Sequence, residues 1–152
     1  MLIRIATSSD VNGWAALRAR LWSGESVADH RTEAAALLAR SPGERVTVVA
    51  VDPEGCVRAF AEASLRHDYV NGCDTSPVAF LEGIFVQPED RRSGLGEALS
   101  AAVQSWARER GCTELASDAL LENLASHAFH IAVGFEETER VVYFRKRIGP
   151  RR

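Results

Sequence analysis

The chain reads as a single α/β domain, residues 1–152, built on a mixed sheet with helices on both sides. Three observations carry that reading. Short β-rich runs and helical patterns succeed one another in the order β-α-α-β-β-β-α-β-α-β. Two of the strands flank the turn Asp52-Pro53-Glu54-Gly55, as in a hairpin. A third, ending Ile84-Phe85-Val86, runs through Gln87-Pro88 into Arg91-x-x-Gly94-x-Gly96 and a strongly amphipathic helix. No internal repeat, low-complexity tract or linker divides the chain.

Leu2 to Ile5 reads as the first strand, and Ser8, Ser9 and Asp10 offer N-caps to a helix that sets Val11, Trp14, Leu17 or Arg18, and Leu21 on one side. Trp22-Ser23-Gly24 ends it. A second, alanine-rich helix covers Val27 to Arg40 and stops at Pro42-Gly43. Val46 to Val51 is a strand. Val57 to Arg66 alternates small apolar residues with Arg58, Phe60, Glu62 and Ser64, which predicts one buried face. After a loop, 67–77, with an Asn71-Gly72 turn comes the strand Val78 to Val86. From Leu95 apolar residues recur at Ala98, Leu99, Ala102, Val103 and Trp106, and Gly111 closes that helix. Cys112 to Asp118 reads as a strand, Asn123 to Val133 as a helix, and Val141 to Ile148 as the last strand, with a further candidate across Phe135 to Glu139.

The composition, 46% hydrophobic and 26% charged, is that of an ordinary soluble globule. No apolar run approaches membrane-spanning length and the start of the chain lacks a signal pattern, so no membrane partner is expected. Cys56, Cys73 and Cys112 form no Cys-x-x-Cys pair, which predicts neither a disulfide framework nor a zinc site and makes a reducing cytoplasm the expected location. A net charge of −3 argues against nucleic acid and suits a small cationic substrate. The basic tail from Arg145 to Arg152 reads as a solvated end.

The turn after Val86 is the main chemical signal. A glycine-bearing loop that opens a helix presents unpaired backbone N–H groups and the positive end of the helix dipole, a setting for a pyrophosphate. A P-loop is excluded because Glu97 and Ala98, not Lys and Ser/Thr, follow Gly96. A dinucleotide fingerprint is excluded because Leu99 stands where a third Gly or Ala belongs. A ligand-free strand–turn–helix has the same local pattern. Upstream, Glu82 lies inside an apolar strand, on the face of Phe80 and Ile84 by the period of two, and such a carboxylate needs a partner, a purpose or solvent. Gly83 beside it marks a bulge or a close backbone approach. Asn123 and His130 share a helix face about 10 Å apart. Asn123 is equally a plain N-cap and His130 equally a packed or surface residue. His127 and His130 have no third ligand nearby, so no metal is expected.

Val86-x-Pro88-x-x-Arg91-x-x-Gly94-x-Gly96 resembles the acetyl-coenzyme A loop of the GCN5-related N-acetyltransferases, and Gly134-Phe135 after His130 fits that family's later motif. The resemblance implies the acyl-coenzyme A N-acyltransferase fold and acetyl-CoA as cosubstrate. It implies that Ile84, Phe85 and Val86 pair with the pantetheine, and that Arg91, Arg92, Ser93, Gly94, Leu95, Gly96, Glu97 and Asn123 bind the coenzyme. His130 stands where the family usually has a tyrosine facing the coenzyme sulfur.

A narrower likeness covers essentially the whole chain. Leu21-Trp22, Arg66 to Asp74, Phe80 to Val86, Ala116-Ser117-Asp118 and Gly134 to Arg140 are similar to segments of the bacterial aminoglycoside 6'-N-acetyltransferases, which are antibiotic-resistance enzymes and usually homodimers. That likeness implies that Trp22, Tyr69, Glu82, Asp118 and Glu139 line the aminoglycoside site, with Glu82 as proton acceptor and Asp118 holding the amine for direct transfer in a ternary complex. Carboxylates and flat aromatic surfaces are what a hydroxyl-rich polycation requires. Each of these residues also has a plain structural explanation: an edge of the core for Trp22, a loop plug for Tyr69, a solvated strand carboxylate for Glu139. Acetylation of a polyamine or another small amine, or coenzyme binding by a non-catalytic regulator, are the rival readings. No Gly-x-Ser-x-Gly elbow is present to suggest a covalent acyl-enzyme.

Overall fold

In the computed structural model, which describes residues 1–150, nine regular elements follow one another. They are β1 (Leu2–Ile5), α1 (Val11–Leu21), α2 (Val27–Leu38), β2 (Arg45–Val51), β3 (Val57–Arg66), β4 (Val78–Val86), α3 (Leu95–Glu109), β5 (Leu115–Ser117) and α4 (Leu124–Ala132). The strands lie in the order β1-β2-β3-β4-β5. Each of the first three is antiparallel to the next, and β5 is parallel to β4, reached through α3. The mixed α/β sheet expected from the sequence is therefore present.

Every residue of β2 is buried, as befits a strand with neighbours on both edges and helices on both faces. Val49 and Val51 pack with Trp14, Leu17, Ala34 and Phe60 under α1 and α2, while Val46 and Val48 face Ala102 and Trp106 of α3. The same sandwiching corrects the expectation for β3. Not one but both of its faces are buried between Ala59 and Ala63, Phe60 and Glu62 included. Glu62 tolerates this because its carboxylate accepts from Trp14 Nε1 (2.9 Å), Arg18 and Arg45 (3.4 Å).

Asp10 does not cap α1 through its side chain. It closes the preceding turn, accepting from Thr7 N at 2.7 Å and from Arg4 at 2.6 and 3.0 Å. Buried residues of α3 fall at Leu95, Leu99, Val103 and Trp106, as the periodicity predicts, and Trp106 Nε1 bonds the Pro42 carbonyl at 2.6 Å.

The chain divides into two compact units, Met1–Asp118 and Ala119–Arg152. The first holds the sheet and α1 to α3. The second holds α4, whose first turn is capped by Asn123 Oδ1 accepting from Ser126 N at 3.1 Å. Neither strand expected in this unit forms: residues 135–148 contain no regular element, and Val142, Tyr143, Phe144 and Ile148 are exposed. A β-rich sequence becomes a strand only where another strand takes its N–H and C=O groups, and this segment has no such neighbour among the described residues. Arg151 and Arg152, the end of the basic tail, lie outside the described residues.

Candidate active site

The parallel pair β4–β5 parts early. Ala79, Phe80 and Leu81 pair with Leu115, Ala116 and Ser117, and the ladder stops there. Beyond Leu81, β4 stays paired to β3 on one edge, while no strand covers its other edge among the described residues. The Gln87 N–H bonds the Arg58 carbonyl of β3 at 3.1 Å. Alternation then turns the peptide groups of Ile84 and Val86 toward the open edge and those of Phe85 toward β3. An open strand edge of this kind accepts an extended ligand through main-chain hydrogen bonds.

A register shift opposite Glu82 corrects the simple period of two. Leu81 pairs with Ala63 and Gly83 with Glu62, so Glu82 is the extra residue of a bulge. Phe80, opposite Ser64, and Ile84, opposite Ala61, consequently lie on opposite faces. Glu82 sits where β4 and β5 diverge, level with Asp118, the residue that follows Ser117. The C-terminal ends of parallel strands are where open α/β sheets bind ligands.

The turn from β4 to α3 is held from below. Arg58 Nε bonds Asp90 at 2.8 Å, Arg91 Nε bonds the Val86 carbonyl at 3.0 Å, and the Ser93 hydroxyl donates to the Asp90 carbonyl. Arg92 (φ 64°) and Gly94 (φ 84°) take left-handed backbone conformations, and no side chain caps Gly94. The first amides of α3 therefore lack an intrahelical partner, at the positive end of a 15-residue helix. With two arginines in the loop and an open strand edge beside it, this cradle fits a pyrophosphate followed by an extended amide-bearing arm, which is the chemistry of coenzyme A.

On the other side of Glu82 the walls are aromatic and charged. The Trp22 ring lies so close to Gly83 that a Cβ there would be 2.5 Å from Cζ2 and 2.6 Å from Cη2. The Trp22 ring also packs against Phe60 (centroids 6.2 Å apart) and lies 4.8 Å from the Arg18 guanidinium. Arg18 Nε donates to His30 Nδ1 at 3.2 Å, so the proton of that imidazole is on Nε2, which donates to the Trp22 carbonyl at 2.9 Å. Glu82 itself is paired: Arg66 Nη2 reaches both carboxylate oxygens, at 2.6 and 2.9 Å, while the Arg66 guanidinium stacks 3.6 Å from the Phe80 ring centroid. Asp118 and Tyr69 are exposed, Tyr69 at the start of the β3–β4 loop.

Asn123, His130 and Glu139 belong to the second unit. There Asn123 caps α4. His130 packs edge-on against Phe129 and Phe135, with Nδ1 2.7 Å from the Ser126 carbonyl, and Glu139 is exposed. Two features escape the sequence reading. Arg66 as the partner of Glu82 is hidden because their pairing crosses the bulge. The buried group of Trp14, Arg18, His30, Arg45 and Glu62 left a faint signal, charged residues at positions whose neighbours are apolar. No three His, Cys, Asp or Glu side chains among the described residues are grouped to hold a metal ion.

The chain is similar to known proteins over nearly its whole length. The family model "Acetyltransferase (GNAT) family" matches residues 14–135. An aminoglycoside N(6')-acetyltransferase type 1 from Serratia marcescens is 49% identical, over 97% of this chain and 100% of its own length. A protein of the same name from Stenotrophomonas maltophilia is 51% identical, over 97% and 94%. Among solved structures, an apo aminoglycoside antibiotic 6'-N-acetyltransferase from Acinetobacter haemolyticus superposes with a TM-score of 0.90 at 45% identity, covering 98% of this chain and 100% of its own. The aminoglycoside acetyltransferase AAC(6')-Iy, in complex with a bisubstrate analogue that joins CoA to acetylneamine, superposes with a TM-score of 0.88 at 45% identity, covering 96% and 97%. The open strand edge, the uncapped helix and these relatives lead to one conclusion: the chain belongs to the GNAT acetyltransferase family.

Proposed function

We propose that the protein transfers the acetyl group of acetyl-CoA to the 6'-amino group of aminoglycoside antibiotics. The observation that carries this reading is the placement of two carboxylates, Glu82 and Asp118, at the divergence of β4 and β5, beside an anion cradle, in a chain half identical to proteins named for that reaction. In this reading Arg91 to Glu97 hold the pyrophosphate, largely through backbone amides, and Ile84 and Val86 orient the pantetheine arm, with Phe85 between them. Asn123 is the further coenzyme contact that the family resemblance implies. Acetyl-CoA supplies an activated acyl group; the rest is positioning and proton management.

A 6'-amine arrives as an ammonium ion and must lose a proton before its nitrogen has a lone pair to attack with. Glu82 takes that proton, directly or through one water, and Asp118 keeps the nitrogen in line. Trp22 and Tyr69 offer flat faces to the sugar rings, and Glu139 adds a third carboxylate for a polycation. The nitrogen forms its bond to the acyl carbon as the carbon–sulfur bond breaks, and its second surplus proton passes to the departing thiolate or to water. A thiol has a pKa of about 8.5, low enough for the thiolate to depart without an acid, so His130 receives no proton-donor role.

Residues 1–152 act as one acetyltransferase domain, a reading supported by a family match that runs from α1 past α4. The protein works as a homodimer, supported by the exposed apolar run Val141–Phe144, and in the cytoplasm, supported by its three free cysteines.

A thiol-release assay over an amine panel tests the reading. Kanamycin and tobramycin, with 6'-amines, are expected to release coenzyme A, whereas a 6'-hydroxy congener, spermidine and a peptide are not. Release with spermidine alone would move the enzyme to another small amine. Coenzyme binding with no release by any amine would favour a regulator.

A further inference from the structure

The proposed proton acceptor already has a cation. We propose that Arg66 is a resident counter-ion that stands in for the substrate's ammonium on Glu82 and is exchanged for it when the aminoglycoside binds, making Arg66 a specificity-determining residue. This rests on the reading that Glu82 receives the 6'-amine.

Three observations support the exchange. One guanidinium nitrogen, Arg66 Nη2, spans both carboxylate oxygens of Glu82, the position a single ammonium would take. The pair is accessible, with side chains 44% and 28% exposed, so it is only weakly held and cheap to open. Arg66 also has somewhere to remain: its guanidinium stacks on the Phe80 ring and can stay there once the carboxylate is taken. The contrast with Glu62 is instructive. That carboxylate, one strand away, is buried and bound by three donors, so no ligand displaces them. Of these two carboxylates, it is Glu82 that combines a cation with a route to solvent. An ammonium that displaces Arg66 leaves Glu82 bonded to the proton that must leave before the nitrogen can attack. A neutral hydroxyl at the 6' position cannot displace it.

Calorimetric titration of the CoA-loaded protein tests the exchange. Arg66→Gln should bind a 6'-amino aminoglycoside about two- to fivefold more tightly than the unsubstituted protein, the size of an exposed ion pair no longer given up. Its affinity for a 6'-hydroxy congener should not change, and Arg66→Lys should restore the original affinity for the 6'-amine. In Glu82→Gln the gain from Arg66→Gln should vanish. Weaker binding by Arg66→Gln, or an equal gain for the 6'-hydroxy ligand, would overturn the proposal. Were Glu82→Gln alone to leave 6'-amine affinity and turnover unchanged, the reading of the site would fall, and the exchange with it. Failure of the exchange alone is distinct, because Glu82→Gln would still abolish turnover.

Discussion

Gly83 has no side chain because the Trp22 ring occupies the space where one would be. Gly83→Ala would force that ring away from the strand, and overpacking of this kind costs about 1–3 kcal/mol. Because the ring is a proposed wall of the acceptor site, KM for the aminoglycoside should rise about tenfold while Kd for coenzyme A stays constant, which steady-state kinetics and calorimetry separate. Asp10 makes a prediction about pH. Burial alone would raise its carboxyl pKa, but bonds from Arg4 and the Thr7 amide outweigh burial and hold it below its usual 3.8. A depressed carboxyl stabilises the fold fully above its unfolded pKa and loses that contribution as pH falls through the lower folded value. Asp10→Asn should therefore cost about 1–2 kcal/mol in denaturant melts at pH 7, and the cost should shrink progressively as pH is lowered below 3.8. At this scale Glu82 was legible in the sequence as the lone acid of an apolar strand. Arg66 was not, since its contact depends on a bulge that shifts the register by one.

Among elements, the start of α3 carries the proposed coenzyme cradle. Gly94 adopts a backbone conformation that costs a side-chain-bearing residue about 1–2 kcal/mol. Gly94→Ala should raise Kd for coenzyme A about tenfold by tilting the cradle's amides, with the aminoglycoside Kd unaffected. This element was plain in the sequence because the strand, Pro88, the glycines and the 3.6-residue period all agree. The last strand was not, although its residues are just as β-prone. Helical hydrogen bonds are internal to a segment, whereas a strand's depend on a neighbour that local sequence does not specify. If Val141–Phe144 joins subunits, Phe144→Glu should shift the sedimenting species from dimer to monomer. A dimer unchanged by that substitution would assign the interface elsewhere.

Across the molecule as a whole, the proposed acceptor wall at Trp22 is supported by a buried polar hub. Glu62 of β3 gathers Trp14 and Arg18 of α1 and Arg45 of β2, and Arg18 passes the contact to His30 of α2 and so to the Trp22 carbonyl. Removing that charge would leave Arg45 buried without its ion-pair partner and Arg18 with only Glu33, 3.9 Å away. Glu62→Gln should then destabilise the protein by about 3–5 kcal/mol in urea titrations. The overall architecture was readable from the order of elements, because a mixed sheet with helices on each side leaves few ways to bury these apolar faces. The hub was not, because it joins four elements distant in sequence. In the proposed reaction Glu82 and Asp118 present one amine to an acyl group held at the head of α3. The most direct test of this is carbon-13 NMR of the product formed from kanamycin and acetyl-labelled acetyl-CoA. The label should appear on the 6' nitrogen in the unsubstituted protein and on no nitrogen in Glu82→Gln. Label on a different amine, or undiminished labelling in Glu82→Gln, would contradict it.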